Sequence, residues 1–203
     1  MKKILTILSL FSAFISNAQT VNITSSASGA VCSGANVSFT ANATGFTNPY
    51  YQWYANGTAI TGATAATYTT AAVTPTAGPS KIAYRAIVKS GTCAADTTSS
   101  YTVTISPIVV TKAITGTASV CTGTNSATLT LAAGSVGTIQ WQKSTDNSTW
   151  TNVGSPIAQT LATNAASSIT QTNLTQSTWY RVVLTSGVCT SVPTTAFQVV
   201  VTQ

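Results

Sequence analysis

Tyr84-Arg85-Ala86-Ile87-Val88-Lys89-Ser90-Gly91-Thr92-Cys93 returns 96 positions later as Tyr180-Arg181-Val182-Val183-Leu184-Thr185-Ser186-Gly187-Val188-Cys189. Around this pair other echoes line up in the same order. Ala30-Val31-Cys32-Ser33-Gly34 matches Ser119-Val120-Cys121-Thr122-Gly123, Tyr51-Gln52-Trp53 matches Ile139-Gln140-Trp141, and Tyr101-Thr102-Val103 matches Phe197-Gln198-Val199. The offsets are 89, 88 and 96, so the second copy carries about eight extra residues between its Trp and its Tyr-Arg. A period of about 90 residues is the size of a small domain. The boundary falls near Ser106-Pro107, and the linker is short enough to predict a stiff two-domain rod.

Each copy reads as strands. Val37-Ser38-Phe39-Thr40-Ala41, Tyr101-Thr102-Val103-Thr104-Ile105 and Ala127-Thr128-Leu129-Thr130-Leu131 alternate apolar and polar side chains, the period of a half-buried strand. Asn56-Gly57, Ser90-Gly91 and Ser186-Gly187 mark turns. Several short strands and frequent turns in 90 residues predict an all-β chain of two tandem immunoglobulin-like β-sandwich domains, over 19–106 and 107–203. Trp53 and Trp141 take core positions on the third main strand, with Tyr84 and Tyr180 as their core partners. The order Cys, Trp, Tyr, Cys fits the immunoglobulin fold with one departure. Antibody domains place the Tyr two residues before the second Cys, whereas here Tyr84 precedes Cys93, and Tyr180 precedes Cys189, by nine.

Residues 1–18, MKKILTILSLFSAFISNA, show a basic start, an apolar run from Ile4 to Ile15 and a small-x-small site at Ser16-Asn17-Ala18. This is the pattern of a secretory signal peptide, too short to span a membrane comfortably. Its removal would lower the formal net charge from +6 to +4 by taking Lys2 and Lys3, and would leave no membrane span in the mature chain. The remaining cations are dispersed, which argues against a nucleic-acid partner. Charged residues make up 5% of the chain, against roughly 25% in an average domain. With two acids (Asp96 and Asp146), no Glu and no His, the groups that run acid–base catalysis or hold metals are nearly absent. The composition therefore argues against an enzyme and against any cofactor. Export permits disulfides, and Cys32, Cys93, Cys121 and Cys189 form no CxxC motif, so two bridges are expected.

The stretches VCSG, VSFTA, YQWYANGTAITGATAATYT, YRAIVKSGTC and SSYTVTI, with Gln140–Trp150 and Leu174–Arg181 in the second copy, resemble one group of modules. These are the Ig-like, PKD-like repeats of secreted Bacteroidetes surface proteins, adhesins and gliding-associated proteins among them. The resemblance covers nearly all of 20–203. It implies an extracellular or cell-surface location, with the periplasm as the alternative, and an adhesive or scaffold role; it names no ligand. Family members usually carry many repeats and often a type 9 secretion domain, whereas this chain has two repeats and stops at Gln203. The resemblance also implies the pairing Cys32–Cys93 and Cys121–Cys189. Geometry objects. In an immunoglobulin strand order, the start of the second strand and the last hairpin lie at opposite ends, while bridged Cα atoms must lie within about 7 Å. Either the segment around Cys32 runs back toward that hairpin or the bond joins two chains.

Two functional readings follow. With few charges to protect strand edges, the Thr-rich strands at Gln19–Ser25 and Phe197–Thr202 could add to a neighbour's sheet, making the chain its own partner. Alternatively, exposed aromatics could stack on a cell-surface polysaccharide, with Trp150 the leading candidate and Tyr50 and Tyr54 weaker ones. Asp96-Thr97-Thr98 resembles the protein O-glycosylation site of Bacteroidetes, which implies modification at Thr97.

Overall fold

Phe39 and Ala41 point inward from a strand whose Ser38, Thr40 and Asn42 point outward or stay part-exposed. That alternation repeats through the molecule and sorts each copy into two packed sheets. The computed structural model describes residues 18–75, 80–91, 95–159 and 165–203. Residues 1–17 of the expected signal peptide 1–18 lie outside the described residues, as does Cys93.

The first domain comprises β1 (Thr20–Ser25), β2 (Ala30–Cys32), β3 (Ser38–Thr44), β4 (Pro49–Ala55), β5 (Thr58–Ala59), β6 (Thr67–Thr69), β7 (Ser80–Ser90), β8 (Asp96–Thr97) and β9 (Tyr101–Ser106). The second comprises β10 (Ile114–Gly116), β11 (Ser119–Cys121), β12 (Ser126–Leu131), β13 (Gly137–Ser144), β14 (Thr151–Gln159), β15 (Ser167–Thr172), β16 (Thr178–Ser186), β17 (Cys189–Pro193) and β18 (Phe197–Thr202). In the first, β1-β3-β6 faces β2-β9-β7-β4-β5, with β8 also on β7; in the second, β10-β12-β15 faces β11-β18-β16-β13-β14, with β17 also on β16. Short β2 and β11 run parallel to the last strand of their domains, and every other pair is antiparallel. The fold is two tandem immunoglobulin-like sandwiches.

Asn56 and Gly57 both take positive φ, 47° and 83°, the geometry of the two-residue turn that joins twisted strands, and they close the β4–β5 hairpin. The second copy builds a nine-residue β14 where the first has two-residue β5, so part of its extra length extends this hairpin. Trp53 is fully buried between the sheets beside Phe39, Tyr68 and Tyr84, and its Nε1 donates to Ala65 O at 2.9 Å. Trp141 occupies the same place among Leu129, Leu131, Ile139 and Tyr180 and donates to Ser167 Oγ at 3.1 Å. Burying rings of this size while satisfying their N–H is the main stabilising device of each core.

Neither terminal strand stands free. β1 pairs with β3 at six positions, and β18 lies between β16 and β11. Strand addition through β18 would require undoing pairs already made, whereas β1 ends its sheet and pairs along one edge only.

Candidate functional site at the domain junction

The register of β7 decides which residues share an end of the first domain. Ser80 pairs with Ile105, and Ser90 pairs with Pro49. Cys32 pairs with Ser106, so Cys32 lies at the end facing the second domain and the Ser90-Gly91 hairpin lies at the other. In the second domain, Ser186 pairs with Cys189 across the β16–β17 hairpin, and Cys121 pairs with Thr202. The hairpin therefore faces the first domain while Cys121 lies at the far end.

The junction brings Cys32 and Cys189 together. They form a disulfide with Cα atoms 5.0 Å apart, across 157 residues of chain. This corrects the pairing of Cys32 with Cys93 and of Cys121 with Cys189. The physical reason is strand length: a bond from Cys121 to Cys189 would have to span the second sandwich from end to end, whereas Cys32 and Cys189 face each other across the joint. Cys121 carries a free, exposed thiol.

Backbone packing tightens the joint. Ser33 N donates to Ser106 O at 2.8 Å, Val188 N donates to Ser106 Oγ at 3.4 Å, and Cys189 Sγ lies 3.4 Å from Pro107 O. Gly187 takes φ +49°, and a Cβ there would fall 2.0 Å from Ser106 Oγ. Only glycine combines that backbone with that approach, so the Ser-Gly turn is a joint as well as a turn.

The other sequence candidates scatter. Trp53 and Trp141 are core, as are Tyr84 and Tyr180; burial raises both phenol pKa values, with Tyr68 adding to the shift at Tyr84 and Thr178 opposing it at Tyr180. Trp150 is half-buried, and the Arg181 guanidinium lies 4.2 Å from its ring centroid, held by a 2.9 Å bond from Nε to Gln142 Oε1. One face of the indole is thereby covered. Tyr54 is covered in the same way by Arg85, at 5.2 Å. Tyr50 is 64% exposed, at the far end of the first domain. Thr97 is exposed on β8 and its amide donates to Asp96 Oδ1.

Two repeated features escaped the sequence reading. The Arg of each Tyr-Arg pair covers an aromatic ring, and its signal was the recurrence of Arg85 as Arg181. Asn125 Nδ2 donates to Cys121 O and Leu174 O, while Oδ1 accepts from Leu174 N; Asn36, its counterpart, donates to Thr70 O. Both Asn residues stand four positions after a Cys, the spacing that could have revealed them.

The second domain also holds an open cleft of about 410 Å³ between the β13 end and the 173–176 loop, lined by Lys143, Thr151, Gln171, Asn173, Thr178 and Tyr180 among others. Tyr180 Oη is buried with no hydrogen-bond partner, and Trp150 is not part of the lining. Among the described residues, no group of three or more His, Cys, Asp or Glu could hold a metal, and no helix is long and apolar enough to cross a membrane.

Residues 21–107 and 110–203 each match the family described as "Domain of unknown function (DUF8696)". The chain belongs to this family. No curated protein matches it. Among solved structures, an E-to-A variant of a three-Ig titin fragment matches at TM-score 0.59 and 11% identity, over 91% of this chain and 66% of that one. An I-band fragment of titin matches at 0.55 and 14%, over 90% and 65%, and a marsupial T cell receptor at 0.51 and 10%, over 91% and 72%. The chain spans about two thirds of the length of the titin fragments. At these identities the likeness establishes the fold: both DUF8696 domains are immunoglobulin-like.

Proposed function

We propose that this chain is an exported, non-catalytic structural or adhesive protein, a stiff two-domain spacer that associates with its own kind at or near the cell surface. The observation that carries this reading is the Cys32–Cys189 bond, which locks the joint between the two DUF8696 domains. A hinged enzyme or a clamp gains nothing from a covalent lock at its only joint; a spacer that transmits load does. Disulfide-bonded domains belong to oxidising compartments, which agrees with the export pattern of residues 1–18 and with the resemblance to secreted Bacteroidetes surface repeats. Uncharged edges such as β14, with sequence TNVGSPIAQ, supply lateral contact surfaces with little repulsion, although Gly154 and Pro156 limit how far a neighbouring strand can pair there.

Small-angle X-ray scattering tests the spacer. From strands of 11 and 9 residues at about 3.3 Å per residue, the rod should be roughly 70 to 80 Å long. The oxidised protein should scatter as one rigid rod, and the Cys32→Ala/Cys189→Ala variant as a broader ensemble. A bent, flexible particle with the bond intact would end this reading.

A second reading, recognition of a cell-surface polysaccharide, is favoured by the cleft beside Tyr180, whose amide and hydroxyl lining suits sugar hydroxyls. Polysaccharide pull-down with Gln171→Ala and with Trp150→Ala separates this cleft from the indole. Equal retention of wild type and both variants would remove both sites.

A further inference from the structure

The two copies build the same end of the sandwich from different side chains. In the first, Ala55 pairs with Tyr84 across β4 and β7, and the Phe39 and Tyr68 rings pack on Tyr84 with centroids 4.7 and 6.3 Å away. In the second, Lys143 pairs with Tyr180 at the matching place. The register of β12 with β15 sets Leu129 and Ile169 where Phe39 and Tyr68 stand in the first copy. Ala127 likewise stands in place of Val37, and Gln171 beside it in place of Thr70, whose hydroxyl accepts from the Val37 amide. Three apolar side chains are smaller, and two positions carry longer polar ones. That exchange of bulk leaves the cleft of about 410 Å³ at this end of the second domain.

The lining defines the ligand. Tyr180 is fully buried, yet its Oη has no hydrogen-bond partner; the Thr178 hydroxyl spends its own proton on Gln176 O at 3.0 Å. A buried O–H without an acceptor carries a desolvation penalty, which an acceptor brought into the cleft would relieve. Lys143 stands directly across from Tyr180 on the neighbouring strand, where paired Cβ atoms lie about 5 Å apart. Among the described residues of the lining, Lys143 is the one that carries charge. Of the chain's two acids, Asp96 lies in the first domain. The Asp146 carboxylate is held by the Ser144 hydroxyl and by the Ser148 and Thr149 amides. The rest of the wall includes Thr151, Gln171, Asn173 and Thr178, all hydroxyl or amide. A cation beside an unmet O–H donor suits a carboxylate, and the polar wall suits sugar hydroxyls.

We propose that this cleft binds an acidic polysaccharide, with the carboxylate of a uronic acid residue between Lys143 Nζ and Tyr180 Oη and the ring hydroxyls on the amide and hydroxyl wall. The proposal deepens the polysaccharide reading above and rests on it. A carboxylate meets both groups at once: it accepts the Tyr180 proton in a charge-assisted hydrogen bond and offsets the Lys143 charge. A neutral sugar meets the hydroxyl and leaves the ammonium without a counter-charge. A peptide carboxylate meets both groups but brings no ring hydroxyls to Thr151, Gln171 and Asn173, so the saccharide fits better. Access agrees. Asn125 ties Cys121 O to Leu174 O in the loop that walls the cleft, and this Cys121 end of the domain is opposite the joint.

The test is calorimetric titration of the full chain with oligomers of galacturonate, glucuronate and mannuronate, each beside its methyl ester. At least one acid should bind, and its ester, with the same hydroxyls and no charge, should bind roughly tenfold or more weakly. Raised salt should weaken the acid and spare the ester. Lys143→Met should cost the acid a similar factor and leave the ester unchanged. Tyr180→Phe should also weaken the acid, without lowering the unfolding temperature, because the ring still packs and only the unpartnered hydroxyl is gone. The proposal is overturned if none of the three acids binds, or if either substitution leaves the affinity for the acid unchanged. Polyglutamate that binds as tightly as the best oligomer, with the same dependence on Lys143, also overturns it. Gln171→Ala separates the two failures. If acid and ester bind equally and Gln171→Ala removes both, the polysaccharide cleft stands and its selectivity for charge falls; if neither acid nor ester binds, the cleft reading falls with it.

Discussion

Removing the staple should weaken both domains at once. The perturbation is Cys32→Ala with Cys189→Ala, in a Cys93→Ser/Cys121→Ser background so that no thiol can exchange. The bond closes 157 residues, which the chain-entropy account values at about 5 kcal/mol when the whole chain unfolds. When only the second domain unfolds, Cys32 stays beside Ser106, and the closed loop is the 83 residues from Ser106 to Cys189, worth about 4.5 kcal/mol. The first domain has a loop of similar length and a similar value. At roughly 4 to 8 °C per kcal/mol for domains of this size, each domain should lose on the order of 20 to 35 °C in Tm. The assay is scanning calorimetry of the two transitions. The single variants sharpen it: Cys32→Ala should cost the second domain as much as the first, and Cys189→Ala the first as much as the second. If Cys32→Ala and Cys189→Ala leave both transitions unmoved in this background, the two cysteines are not bonded to each other and the stapled joint is refuted.

Trp53→Ala or Trp141→Ala empties the centre of one core and should cost about 3 to 5 kcal/mol in urea unfolding, confined to its own domain. Asn125→Ala strips partners from Cys121 O, Leu174 O and Leu174 N and should cost about 1 to 3 kcal/mol, more than Asn36→Ala, whose side chain holds one carbonyl. The Asp146 carboxylate is held well below its ordinary pKa by bonds from the Ser144 hydroxyl and from the Thr149 and Ser148 amides. A depressed folded pKa means these bonds act in full above the ordinary carboxylate range and are lost as pH falls through the folded value. Amide chemical shifts of Ser148 and Thr149 should therefore stay constant from neutral pH to below pH 4 (roughly the usual Asp pKa) and move only in stronger acid. Movement centred near that pKa would contradict the turn geometry.

The repeat, the strand alternation and the Asn-Gly hairpin were legible because each is a local pattern with one structural meaning. Phe39 and Ala41 could only face inward once Ser38 and Thr40 faced out, and Asn56-Gly57 could only turn. β14 was not legible. Most of Thr151–Gln159 is exposed on both faces, so no burial imposes a period of two, and its Gly154 and Pro156 read as loop. The stacking of Arg181 on Trp150 was hidden for a related reason. An Arg on an outward strand position looks solvated, and an extra Trp in a turn looks like a ligand platform, until the register of Gln142 with Arg181 places one over the other.

The cysteine pairing shows a different limit, because it belongs to no single copy. In the second domain Cys121 and Cys189 lie at opposite ends, separated by a full strand of sandwich. That pair does not meet the distance condition while the strands hold their register. Cys189 finds its partner in the neighbouring domain, and Cys121 is left with a free thiol. A reading that treats the domain as the unit finds two closed loops. A reading that treats the joint as the unit finds the Cys32–Cys189 bond that the described residues make. The register sets Cys32 beside Ser106 and Cys121 beside Thr202, so the two copies hold matching cysteines, and what lies opposite each decides which of them is bonded.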